Sequence, residues 1–82
     1  SGTFDSETAT DTENMNELWK TFVTQSHGLK GEAWGIGART LGDFFYQLEC
    51  AGKEKNIEKI ERFYPEAMEE WQQVVDAVQR VL

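Results

Sequence analysis

The sequence predicts an all-α chain, an antiparallel bundle resting on three helices at about 13–34, 38–51 and 56–82. Three observations predict it. Apolar residues recur every three or four positions in three separate stretches, as helices burying one stripe require. Glycines and a good capping residue fall between those stretches, at Gly35-Ile36-Gly37 and Gly52 to Asn56. No stretch alternates as a strand would, and no internal repeat or glycine-rich phosphate loop interrupts the helical pattern.

Residues 1–12 are small, polar and acidic, with Phe4 their only large apolar side chain, so they read as a disordered tail. Ser1-Gly2 has the look of a cloning remnant and is set aside from fold reasoning. Thr10 with Glu13, or Asn14 with Glu17, offers a capping box for the first helix. That helix carries Met15, Leu18, Phe22, Leu29, Ala33 and Ile36 as its stripe, with Gln25 and Ser26 in the one gap. Leu41, Phe44, Phe45 and Leu48 form the stripe of the second helix. Asn56 is a fair N-cap for the third, which buries Ile57, Ile60, Tyr64, Ala67, Met68, Trp71, Val74, Val75, Val78 and Leu82. Pro65 should kink the third helix, but the apolar register continues beyond it, which favours one kinked helix over two.

Composition narrows the function classes. Eighty-two residues make one small domain, near the size where a single core barely suffices. A net charge of −7 and a pI near 4.5 make nucleic acid and anionic membrane surfaces poor partners. No apolar run approaches a membrane span, and the N-terminus does not resemble a signal peptide. One cysteine, Cys50, and one histidine, His27, cannot build a disulfide or a zinc centre. The expectation is a soluble protein of a reducing, cytoplasmic compartment.

His27 lies in the run Ser26-His27-Gly28-Leu29-Lys30-Gly31. At about 100° per residue it points about 200° away from Leu29, so a core-facing Leu29 puts the imidazole in water. Lys30 and Gly31, three and four residues on, are its surface neighbours, and Val23, Thr24 and Trp34 share the face. Glycine inside a helix costs roughly 0.8–1 kcal/mol against alanine. Gly28, Gly31 and Gly35 around one histidine therefore suggest close approach by another molecule. The competing reading is an ordinary solvated histidine, with Gly35 and Gly37 simply ending the helix.

The stretch from Ser26 to Glu49 resembles the signature of histidine-containing phosphotransfer (HPt) domains, helical bundles that carry phosphoryl groups between receiver domains of two-component phosphorelays. The matching residues are Ser26, His27, Leu29, Lys30, Gly31, the turn Ile36-Gly37-Ala38, and Leu48-Glu49. A looser likeness covers about 14–82, with Trp19 and Phe22 upstream and Ala51-Gly52 and Asn56-Ile57 downstream. The resemblance implies a phosphohistidine carrier, not an enzyme in its own right. In it His27 accepts and donates the phosphoryl group, and Lys30 steadies the added charge. Glu49 would hold the other imidazole nitrogen and orient the ring, its alternative being a plain solvated glutamate. Partners would be a response-regulator receiver domain and a histidine kinase. The chain itself would hold no cofactor, and the divalent metal would belong to the receiver. Val23, Thr24, Gly28, Gly31 and Trp34 would form the docking face, Gly31 leaving room for the phosphoryl group. A neutral imidazole is chemically suited to the role, since its free pKa is about 6.5.

Two departures from the family pattern stand out. Trp34 occupies a position where the family usually has a small or polar residue; it reads as a docking anchor, or else as packed on a neighbouring helix or the imidazole. The helix that usually precedes the histidine helix and closes a four-helix bundle has no apolar period here. Either three helices suffice, or a helix is missing, or a homodimer supplies the cover. The alternative function is an HPt-like adaptor or dimerisation module that no longer relays phosphate.

Overall fold

A computed structural model describes the backbone of residues 2–82 and the side chains of residues 13–82. Three helices make up the chain: α1 (Gly2–Gly35), α2 (Arg39–Glu54) and α3 (Ile57–Val81). The disordered tail expected over 1–12 falls on residues whose side chains lie outside the described ones. The helix is nevertheless continuous from Gly2, so Asn14 lies inside it and starts nothing.

Both turns close on backbone geometry. Ala38 N–H donates to Ala33 O at 2.8 Å and Gly37 N–H to Trp34 O at 3.0 Å, which satisfies carbonyls at the end of α1. Gly37 makes that reversal with φ +83°. At the other turn Asn56 N–H reaches Ala51 O at 2.9 Å and Lys55 N–H reaches Gly52 O at 3.1 Å, a Schellman closure. Lys55 takes the left-handed conformation there, φ 54°, where glycine is usual. Gly52, expected in the turn, instead belongs to α2. A Cβ at Gly52 would lie 2.7 Å from Phe22 Cδ1 and 2.8 Å from Val23 Cγ2, so its bareness lets α1 and α2 approach. Asn56 caps α3 as expected, its Oδ1 accepting from Lys59 N–H at 3.1 Å. Pro65 sits within a single helix, as the continuing apolar register required.

α2 is the middle member. It packs on both α1 and α3, whereas among the described residues the backbones of α1 and α3 do not come close to each other. The core is Leu41, Phe45 and Leu48 of α2 with Ala33 of α1 and Ala67 of α3. Phe44 and Phe63 add a tilted aromatic contact at 6.3 Å.

This layout corrects two stripes. On α1 the residues turned to α2 include Phe22, Ser26, Lys30 and Ala33, whereas Met15, Leu18, Leu29 and Ile36 are exposed. A broad apolar stripe has one edge against α2 and the other in the open. On α3, Ile57, Tyr64, Trp71, Val78 and Leu82 are likewise exposed, and Phe63 joins the core instead. The uncovered edges meet in an apolar groove of about 430 Å³, lined among others by Leu29, Ile36, Phe45 and Trp71. No helix among the described residues is long and apolar enough to cross a membrane.

Candidate functional site: one carboxylate shared by three side chains

The site lies where α1 crosses the second half of α2. Ser26, small and buried, brings α1 close to its neighbour, and the next residue, His27, turns outward with 67% of its side chain exposed. Its Nδ1 lies 3.2 Å from Oε2 of Glu49, a buried α2 residue. The other oxygen, Oε1, is 2.8 Å from Lys30 Nζ. That contact is an ion pair off the hydrogen-bonding direction, and Oε1 has no further partner. Lys53, one turn after Glu49, places its Nζ 3.2 Å from Oε2, the oxygen that also faces His27.

The electrostatics follow from this arrangement. The Lys30 ammonium, helped by Lys53 and His27 and opposed by burial, pulls the Glu49 carboxyl from 4.5 down to about 2. Glu49 is therefore ionised at neutral pH and can only accept hydrogen bonds. Nδ1 of His27 must then carry the proton in this contact, and in the neutral ring the lone pair falls to Nε2. The tautomer is fixed from the buried side, and the free nitrogen belongs to a ring that is mostly in solvent.

Lys30 is less available than its place on the sequence suggests. Its side chain is only 14% exposed. Its ammonium stands 5.5 Å from the ring centroids of both Trp34 and Tyr46, within cation–π range. Trp34 in turn lies across α2. Its Nε1–H donates to Asp43 Oδ1 at 3.2 Å, and its indole covers Gly42, where any Cβ would run into the ring. Trp34 thus packs on a neighbouring helix while keeping 44% of its surface exposed.

The remaining docking candidates are open. Thr24, Gly28 and Gly31 are exposed and Val23 half-buried. A Cβ on Gly28 or Gly31 would meet nothing within 4 Å, so nothing in the chain requires glycine at either position. Val23 and Thr24 line a surface groove of about 630 Å³ with Trp19, Lys20, Lys53 and Lys55. Three lysines gathered there in an acidic chain give this groove a local positive character. Among the described residues no group of three His, Cys, Asp or Glu is placed to hold a metal ion.

His27, Lys30 and Glu49, picked out on sequence, thus meet at one point. Lys53, Tyr46 and Asp43 were not picked out. Lys53 carried a usable signal, since a lysine four residues after a glutamate on one helix faces it. Tyr46 and Asp43 meet their partners only across the helix pair, which periodicity does not encode. Comparison with known protein families, curated proteins and solved structures finds no match to this chain.

Proposed function

We propose that this chain is a phosphohistidine carrier of the two-component phosphorelay type, with His27 exchanging a phosphoryl group with a receiver-domain aspartate. The observation that carries the reading is the His27–Glu49 contact: an exposed imidazole held by Nδ1 to a buried, ionised carboxylate. The resemblance of Ser26 to Glu49 to the HPt signature supports it independently.

In the forward step the Nε2 lone pair attacks phosphorus, the Nε2–P bond forms, and the aspartyl O–P bond breaks to leave a carboxylate on the partner. The Nδ1 proton stays on the ring against Glu49, whose charge offsets the positive charge the imidazole acquires. Lys30 acts through Glu49, holding the carboxylate ionised and in place. Metal and acceptor aspartate come from the receiver, and a histidine kinase stands at the head of the chain of transfers. Val23, Thr24, Gly28, Gly31 and the exposed part of Trp34 form the docking face around the ring.

The test is transfer from a panel of phosphorylated receiver domains, with mass spectrometry to locate the phosphate. An acid-labile label on His27 is the expected result. A folded protein that no receiver labels would sink the reading.

A second reading is favoured by one observation, the apolar groove between α1 and α3. There the chain is an adaptor or dimerisation module with a helical fold of the same kind. Sedimentation separates the two functions' demands: self-association abolished by Trp71→Glu supports a role for this face, and a monomer at all concentrations argues against homodimerisation.

A further inference from the structure

The carrier reading leaves open which cation answers the charge placed on His27. Two lysines touch Glu49, and they are not equivalent. Among the described residues Lys30 is the one ion-pair partner of Oε1, a buried oxygen with no hydrogen-bond partner there. Were Lys30 to leave, that oxygen would be stranded, and an uncompensated buried charge is costly. Lys30 is also hemmed in by Trp34 and Tyr46 and is largely buried. Lys53 differs on each count. It shares Oε2 with His27, so its departure leaves that oxygen still bonded to the ring N–H. Its side chain is 62% exposed and free to swing.

Distance points the same way. Lys53 Nζ and His27 Nδ1 each lie 3.2 Å from the same oxygen, so they are within twice that of each other, and the exposed lysine stem has only to follow the ring outward to meet a group on Nε2. Charge balance supplies the drive. With a neutral ring, Glu49, Lys30 and Lys53 sum to one positive charge; the incoming phosphoryl group carries roughly −1.5 to −2, of which the positive charge acquired by the ring offsets one. The nearest cation free to move then has a stronger partner within reach than a carboxylate already served by Lys30 and the ring.

We infer that Lys53, rather than Lys30, is the cation that moves from Glu49 to the phosphoryl group on His27. Lys53 is here a positioning and charge-stabilising residue of the phosphorylated state, and Lys30 is the fixed counter-ion of Glu49. The inference rests on the carrier reading.

The experiment phosphorylates the intact chain with potassium phosphoramidate, whose P–N bond breaks with loss of ammonia as the Nε2–P bond forms. The ring proton of the phosphorylated His27 is then titrated through its ³¹P NMR shift, at neutral to alkaline pH where the P–N bond survives, in wild type, Lys53→Met and Lys53→Arg. Circular dichroism checks each fold, and Lys53 is exposed enough for its variants to keep it. Loss of a nearby cation should raise the apparent pKa of the phosphorylated ring in Lys53→Met by about 0.5–1 unit, with Lys53→Arg restoring most of it. Labelled His27 with an unmoved titration in Lys53→Met overturns the Lys53 assignment alone. A wild-type protein that takes no label on His27 overturns the carrier reading and this inference with it.

Discussion

His27 Nδ1 and Glu49 Oε2 lie 3.2 Å apart across 22 residues of sequence, joining α1 to α2 at the one histidine in the chain. The contact is asymmetric. Glu49 is buried and held by two lysines, while His27 is mostly in solvent. Structure is thus concentrated on the carboxylate rather than on the ring.

Removing the carboxylate should therefore be felt in the fold. Glu49→Ala leaves the largely buried Lys30 without its counter-ion and should cost about 3 kcal/mol, the low end for a broken buried pair. Glu49→Gln removes the same charge but keeps an acceptor for the ring N–H, so it should cost about 1 kcal/mol less than Glu49→Ala. Urea unfolding of both variants against wild type checks this, and losses below about 1 kcal/mol in both would contradict the ion-pair account.

Acid should act through the same group. The folded-state carboxyl lies near 2 against 4.5 unperturbed, so its ionisation contributes stability fully present above about pH 4.5. That contribution is lost progressively as pH falls from 4.5 towards 2. Wild type should lose stability over this window more steeply than Glu49→Gln, measured by urea midpoints at a series of pH values.

His27→Gln should behave in the opposite way to Glu49→Ala. The side chain is 67% exposed, so unfolding free energy should change by no more than about 0.5 kcal/mol. Phosphoryl labelling should disappear altogether. Loss of helicity in this variant, read by circular dichroism, would mean that the histidine is structural.

The glycines should divide into two kinds. Gly42→Ala drives a methyl into the Trp34 indole, and should cost about 1–3 kcal/mol and shift tryptophan emission as the Asp43 bond is lost. Gly28→Ala and Gly31→Ala meet open space in mid-helix and should each stabilise α1 by roughly 0.5–1 kcal/mol. Thermal or urea unfolding of the three variants decides it. If Gly31 serves docking, Gly31→Ala will be more stable yet slower in transfer.

Much of the fold is legible in the residues. The stripe of α2 and the Asn56 cap follow from spacing and side-chain chemistry within a single helix. The facing of α1 is not legible in the same way. Leu18, Leu29 and Ile36 look like core residues, yet of that stripe only Ala33 is fully buried, beside Ser26 from its gap. Periodicity finds an apolar stripe but does not say which edge of it a neighbour covers. The site divides similarly. His27, Lys30 and Glu49 come from a sequence signature, whereas the aromatic enclosure of Lys30 arises only once Tyr46 and Trp34 are brought together across two helices.

The central place of α2 gives the molecule a modular logic. His27, Lys30, Glu49 and Lys53 all belong to α1 and α2, and α3 contributes no side chain to this cluster among the described residues. Sequence change along the outer face of α3, at Tyr64 or Val78, can therefore proceed without disturbing the imidazole's setting. The ion-paired imidazole and the outer face of α3 thus sit on different helices joined through one shared neighbour, so the two can vary independently.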